Sequence, residues 1–302
     1  MPEGIAEDTA TRVFADHREL LFSVVYNMIG SVADTEDVLQ DAWLAWSARY
    51  GAGGAEEIGN PRAYLVRIAV NTALARQATI SRRRETYVGP WLPEPLVSDA
   101  GADEAAERTE AVSMALLVVL ETLTPLERAV FVLHEVFGYA HTEIAAILDR
   151  SPSAVRQLAH RAREHVHARR PRYQADPKVQ RQVTERFVQA ALGGDIEDLM
   201  RILAPDVTLW TDGGGKARPA ALRPIQGADR VARTITGGTG RGRWPVEIRY
   251  RTVNGDPSAV LFDSGDAPFG VMVLDLAPGD DRIRGIYAVT NPDKLAHIDE
   301  HR

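Results

Sequence analysis

Arginine, rather than any nucleophile or metal ligand, is the residue type this sequence concentrates. Residues 150–173 hold seven arginines and three histidines against one acid, Glu164, and residues 62–84 hold six arginines and no acid. Only three of the 35 basic residues are lysine (Lys178, Lys216, Lys294), and none of these lies in either cluster. A guanidinium presents a planar fork of donors that fits phosphate oxygens and guanine edges. One basic run is ordinarily a solvated helix face, whereas two on separate helical units are the footprint of an extended nucleic acid. Residues 1–41 have the opposite character, with nine acidic side chains and two arginines. Within them Asp37, Gln40 and Asp41 stand at i, i+3 and i+4, on one face of a helix, and in isolation they read as N-terminal dipole compensation on a solvated face.

Other chemistry is poorly served. The chain has no cysteine, which excludes disulfides, thiolate metal sites, iron–sulfur clusters and thiol nucleophiles and fits a reducing cytoplasm. His160-Arg161-Ala162-Arg163-Glu164-His165 approaches an inverted zinc-protease motif, but the spacing is one residue too long and the arginines repel a divalent cation. Asp212 and Asp263, with Lys216 near the first, are candidates for a pocket carboxylate acting as general base. The competing reading is a tight turn at Gly213-Gly214-Gly215 that Asp212 and Lys216 support. No His–Asp pair or cofactor fingerprint accompanies them, so the expectation is a protein without catalysis, cofactor or metal.

Helices must position the arginines. Val13, Phe14, Leu20, Leu21, Val24, Val25, Met28 and Ile29 recur at helical spacing up to Gly30-Ser31, and a second helix from Asp34 turns Val38, Leu39, Ala42, Trp43 and Trp46 to one side. Its acidic first turns complement the helix dipole. After a Gly-rich loop, Gly51 to Gly59, Asn60-Pro61 reads as an N-cap with proline at the first helical position, opening a third helix towards Arg82-Arg83-Arg84. Gly89-Pro90-Trp91-Leu92-Pro93-Glu94-Pro95 holds too many prolines for a helix and reads as an extended connector. The Ala/Asp/Glu-rich stretch from Ser98 to Glu107 reads as mobile.

Thr124-Pro125-Leu126-Glu127 is a capping box. The helix it opens stops around Phe137-Gly138-Tyr139, His141 to Leu148 forms a short helix, and Asp149-Arg150-Ser151-Pro152 caps a longer basic one: a helix-turn-helix. The outward positions of the second helix are Ser153, Arg156, Gln157, His160, Arg161 and Arg163. Arg156 and Gln157 are best placed for base readout, whereas Arg150, Arg161 and Arg163 suit the phosphate backbone. After Pro171, two amphipathic helices broken at Gly193-Gly194 precede strand-like runs at 206–212, 246–253, 259–263, 269–276 and 283–289, predicting a separate α+β domain with an antiparallel meander.

On these residues the chain resembles the extracytoplasmic-function (ECF) sigma factors, promoter-specificity subunits of bacterial RNA polymerase. Asp37-Val38-Leu39-Gln40-Asp41-Ala42-Trp43 is similar to the family's helix for the polymerase clamp helices. The run from Asn60-Pro61-Arg62-Ala63-Tyr64-Leu65 to Asn71 is similar to its −10-element unit, and Leu123 to Val166 to its −35-reading helix-turn-helix. The connector Trp91-Leu92-Pro93-Glu94-Pro95, Asp212-Gly213-Gly214-Gly215-Lys216 and Asn291-Pro292-Asp293-Lys294-Leu295 match signatures of one subgroup, sigma factor J types among them, which carries a C-terminal SnoaL-like domain. One position departs from the family: where many members have an acid four residues after the helix asparagine, this chain has Ala75.

The resemblance implies a multidomain protein: two all-α sigma domains followed by an α+β SnoaL-like cone. Its implied limits are a sigma-2 domain over 1–88, a Pro-rich linker over 89–106, a sigma-4 domain over 107–172 and the SnoaL-like regulatory domain over 177–302. It implies core polymerase as partner, through the β′ clamp helices for Asp37, Gln40 and Asp41 and through the β flap, and promoter DNA for Asn71, Arg76, Arg82, Arg83 and Arg84. The three signature motifs are expected to meet and set the distance between the two DNA-reading domains, with the cone also a candidate holder of a small ligand.

The remaining sequence properties fit this reading. A length of 302 residues predicts two or three domains, and the formal net charge of −7 hides the basic clusters. The acidic start lacks the apolar core of a secretory signal, and the longest apolar run, Met114 to Leu120, is far short of a membrane span. A cytoplasmic protein without membrane contact is expected. The rival reading is a one-component helix-turn-helix regulator fused to a ligand-binding or enzymatic cone.

Overall fold

The computed structural model describes residues 3–51, 58–98, 112–169, 175–217, 220–239, 247–279 and 281–298. The chain divides into two compact units: 3–83 with 119–169, and 84–98 with 112–118 and 175–298.

In the first unit, α1 (Glu3–Ile29) and α2 (Val32–Gly51) form a hairpin. Gly30, at φ +74°, turns the chain, and its N–H reaches the Tyr26 carbonyl at 2.6 Å. The stripes Phe14, Leu21, Val24, Val25 and Met28 on α1 and Val38, Leu39, Ala42 and Trp46 on α2 are buried. The Trp46 indole donates to the Ala10 carbonyl at 3.0 Å, so its one polar atom is satisfied. Helix α3 (Pro61–Glu85) starts where Asn60 Oδ1 accepts the Ala63 N–H at 3.0 Å, and it buries Leu65, Val66, Ala69, Val70, Ala73 and Ile80.

A second helical group belongs to the same unit. Following α4 (Met114–Leu120), α5 (Pro125–Phe131) opens on the predicted capping box, with Thr124 Oγ1 accepting from Glu127 N–H at 3.4 Å and Glu127 Oε2 from Thr124 N–H at 3.2 Å. It loosens into one π-turn, Val132–Val136, before α6 (His141–Leu148) and α7 (Pro152–Arg169). Asp149, at φ +52°, makes the turn between them. The Arg128 guanidinium joins this group to α1: it is 3% exposed, donates to the Asn27 carbonyl at 2.9 Å and pairs with Glu121. Burial pushes its pKa down to about 9.

The second unit is an α+β domain. Helix α8 (Pro177–Gly193), capped by Asp176 and closed by left-handed Gly194, is followed by α9 (Ile196–Ile202), capped by Asp195. Its strands are β1 (Val97–Ser98), β2 (Leu203–Asp212), β3 (Ile225–Gln226), β4 (Glu247–Val253), β5 (Asp256–Phe262), β6 (Pro268–Leu276) and β7 (Ile283–Val289), in the sheet order β1-β4-β5-β6-β7-β2-β3. The meander β4 to β7 is antiparallel as expected, but β2 joins β7 in parallel, with Leu209 opposite Ile286. Helix α10 (Ala228–Thr239) lies between the first two strand-like runs, in a stretch where the sequence pattern predicts no element. Its Thr and Gly content masks a helical face on which Val231, Ala232 and Ile235 are buried.

The two sheet faces have different covers. Helices α8, α9 and α10 close one face with Phe187, Leu199, Val231 and Ile235 over Leu209, Leu274 and Ile286. The other face, with Trp210, Val260, Val273 and Tyr287, is covered by Leu92, Met114, Ala115 and Leu295. The Pro-rich segment is therefore built into this unit, where β1 pairs with the edge strand β4. Full burial of an apolar side chain such as Leu92, Met114 or Leu295 contributes about 1.5–3 kcal/mol.

Candidate functional site: polymerase, nucleic-acid and linker contacts

Helix α2 presents the acidic stripe. Asp37 and Gln40 are exposed and Asp41 half-buried, and Leu44, one turn further on the same face, is 57% exposed. Sequence reasoning passed over Leu44, although its i+7 spacing from Asp37 is a helical-face signal. Arg76 of α3 spans the stripe, with Nη1 at 2.8 Å from Asp37 and Nη2 at 2.9 Å from Asp41. Hydrogen bonding to Asp37 leads the effects that raise the Arg76 pKa.

The other predicted DNA contacts on α3 divide in use. Asn71 Nδ2 donates to the Arg67 carbonyl at 2.8 Å and to the Ile147 carbonyl at 3.0 Å. Arg82 Nε bonds the Ala78 carbonyl of its own helix, and Arg83 pairs with Asp34 at 2.5 Å. Arg84 lies over the Trp91 ring, 3.5 Å from its centroid. Of the loop Gly51 to Gly59, residues 52–57 lie outside the described residues, as do most of 98–107 and residues 170–173 of the second basic cluster.

On α7, Ser153, Arg156, Gln157, His160 and Arg161 are exposed, as is Arg150 before it. Arg161 pairs with Glu127 at 3.1 Å, Arg163 with Glu135 at 3.6 Å and His160 with Glu164 at 3.5 Å. Arg156 and Gln157 make no side-chain hydrogen bond or ion pair among the described residues. The helix thus has buried Val155, Ala159 and Ala162 underneath, braced cations at its flank and two free donors facing out.

The three signature motifs converge within the second unit. Asp212, 0% exposed, accepts from Tyr87 Oη at 2.5 Å, Leu92 N–H at 2.8 Å, Lys294 Nζ at 2.8 Å and Gly214 N–H at 3.2 Å. Lys294, 5% exposed, also donates to the Leu92 carbonyl and lies 4.1 Å from the Trp91 ring centroid. Burial lowers its pKa while Asp212 pulls the other way. Tyr87, a member that sequence reasoning missed, accepts from Asn291 Nδ2 at 2.7 Å. Its pKa is raised by burial first and by the bond to Asp212 second, so it stays a phenol.

The glycines have separate reasons to be there. A side chain at Gly214, φ +58°, would overlap the Asn291 amide, and one at Gly213 would lie 2.7 Å from Ala220 Cβ. Lys216 pairs with Asp293 at 2.5 Å, Asn291 caps the short 3-10 turn Pro292–Lys294, and Pro95 accepts from His297 at 2.9 Å. Pro93 is buried and Glu94 half-buried, Glu94 acting electrostatically on Lys294.

This geometry corrects the pocket-carboxylate reading. Alternation along β2 puts Leu209 on the helix-covered face and Trp210 on the opposite one, with Asp212 beside Trp210. Asp263 spends its carboxylate on its turn, accepting from Gly265 and Ala267 N–H at 2.8 and 3.0 Å. Among the described residues no cluster suited to a metal occurs, and no helix is long and apolar enough to cross a membrane.

Comparison with known proteins follows the same division. The Sigma-70 region 2 family matches residues 13–83 and the Sigma-70 region 4 family residues 113–166. The ECF RNA polymerase sigma factor SigJ of Mycobacterium tuberculosis is 35% identical over 92% of this chain and 90% of its own length. The chain belongs to the ECF RNA polymerase sigma factors. This sigma factor is also 30% identical to the probable ECF sigma factor SigI of M. tuberculosis, over 95% of each chain. The crystal structure of M. tuberculosis SigJ superposes with a TM-score of 0.72 at 33% identity, covering 94% of this chain and 97% of that one. The one-component regulator accounts for region 4 but not for region 2 or for relatives matched over 90% or more of their own length. Two sigma regions followed by an α+β domain are the architecture the sequence predicted.

Proposed function

We propose that this sigma factor docks on the polymerase clamp helices through Asp37, Gln40 and Asp41, places α3 at the −10 element and α7 at the −35 element, and is regulated by its own C-terminal domain. Arg156 and Gln157 read base edges, Arg150 joins Ser153, His160, Arg161 and Arg163 in positioning the helix on phosphates, and the region 4 unit seats on the β flap. Asn71, Arg82, Arg83 and Arg84 serve the −10 strand once their present partners are exchanged for phosphate. The protein is a specificity subunit and not a catalyst, and it works in the cytoplasm with the polymerase.

The regulatory part is carried by one observation: Leu92 and Met114, which flank the segment 99–111, are both buried on one face of the C-terminal sheet. A domain that grips both sides of the interregion segment limits how far the two DNA-reading regions can separate. Asp212, Lys294, Asn291, Trp91 and Tyr87 are the fastening.

The test is transcription in vitro with core polymerase, comparing the full-length protein with Asp212→Ala and with a form lacking residues 291–302. Promoter output should change for both while core binding persists. Unchanged output for both removes the regulatory reading and leaves the sigma assignment standing.

A further inference from the structure

Arg76 was expected at the promoter strand, yet its guanidinium lies across the acidic stripe of α2. One nitrogen bonds Asp37 at 2.8 Å and the other Asp41 at 2.9 Å, and Arg76 is the only side chain paired with either acid among the described residues. Both carboxylates are about half exposed, at 59% and 45%, so the pairs sit at the surface where an incoming partner can reach them. Five residues after Asn71, Arg76 is turned by roughly 140° about the axis of α3, so the two side chains do not share a face of the helix.

We propose that Arg76 is a resident counter-ion of the polymerase-docking face, which basic side chains of the core enzyme displace when the sigma factor docks. The inference rests on the docking role given above to Asp37 and Asp41. In the free protein a single planar fork engages both acids and cancels one of their two negative charges, so the face offers less net charge to other cationic surfaces. Polymerase must supply cations that outcompete it, and the freed Arg76 joins the rim of the interface. A guanidinium is suited to this because each of its two terminal nitrogens reaches one carboxylate, in a fixed planar fork that an ammonium lacks.

A competitor and a support predict opposite signs. If Arg76 only orders the two acids for docking, removing it weakens core binding. If it competes with polymerase, removing it strengthens binding. Exposed ion pairs are individually weak, so the expected gain for Arg76→Gln is about two- to ten-fold in affinity. Arg76→Lys, holding one acid at a time, should fall between wild type and Arg76→Gln.

The experiment measures the affinity of the full-length chain for core RNA polymerase by fluorescence anisotropy across a salt series. It compares wild type, Arg76→Gln, Arg76→Lys and Asp37→Asn/Asp41→Asn with and without Arg76→Gln. Tighter binding and a steeper salt dependence for Arg76→Gln, both lost in the Asn/Asn background, support the proposal. Unchanged or weaker binding by Arg76→Gln overturns it, as does a gain that survives in that background. Asn/Asn binding as tightly as wild type overturns both the proposal and the docking role it rests on. Circular dichroism of each variant separates a loss of fold from a loss of affinity, and the Arg76→Lys variant keeps a cation in place should Arg76→Gln unfold.

Discussion

Replacing Asp212 by asparagine tests the fastening of the connector directly. The carboxylate is fully buried and accepts from Tyr87, Leu92, Lys294 and Gly214. An amide of the same shape turns one acceptor oxygen into an NH₂ group facing donors, and it leaves the Lys294 ammonium, 5% exposed, without its counter-charge. Breaking a buried pair in this way costs about 3–5 kcal/mol. For a unit of this size each kcal/mol lowers the melting temperature by about 2–4 °C, so a fall of about 10 °C is expected for the second unit. Calorimetry of the full-length protein reads the transition, and limited proteolysis within 84–98 reads release of the connector. The double variant Asp212→Asn/Lys294→Met should recover more than half of the loss, because an apolar chain removes the stranded charge. A single variant that melts within about 2 °C of wild type, or a double variant no more stable than the single one, refutes the reasoning.

Gly214→Ala combines left-handed strain with overlap on Asn291, and should destabilise the second unit in urea by about 2–3 kcal/mol, whereas Gly279→Ala, with open space around it, should show strain of about 1 kcal/mol alone. Thr124→Ala removes one half of the capping box and should cost about 1 kcal/mol of first-unit stability. Burial alone would raise the Glu127 pKa, but the Thr124 bonds and Arg161 hold it below its ordinary value. The stability it contributes is therefore present above the ordinary glutamate pKa and lost as the pH falls through the lower folded one. Acid titration of wild type should show that loss, and Thr124→Ala less of it. Arg156→Ala should weaken holoenzyme binding to a −35 element by about 1–3 kcal/mol with relaxed specificity, whereas Arg150→Ala should lower affinity evenly across sequences and flatten its salt dependence.

Much of this molecule was legible in the sequence because its signals are local. The stripe from Phe14 to Met28, the capping box at Thr124, the Asn60-Pro61 start and the alternation along 206–212 each state a period or a cap within a few residues. The charge clusters and the exposed donors Arg156 and Gln157 follow from helical spacing in the same way. Helix α10 was missed because its Ile, Thr and Gly residues weaken local helix propensity, and burial of Val231, Ala232 and Ile235 against the sheet overrides it.

Partnership across distance is not written in local spacing: the meeting of the three signature motifs was expected from the family resemblance, not from the residues around Asp212. Nothing near Asp212 announces that its ligands come from Tyr87, Leu92 and Lys294, about 80 to 125 positions away, and nothing near Arg76 announces Asp37 and Asp41. The parallel pairing of β2 with β7 decides which face Asp212 occupies, and so makes it a fastening for the connector rather than a base in a cone. Periodicity fixes which residues share a side of one helix or strand. Only the closed packing of the whole chain decides what lies opposite that side, because each buried charge must find its counter-charge wherever the fold brings one within reach.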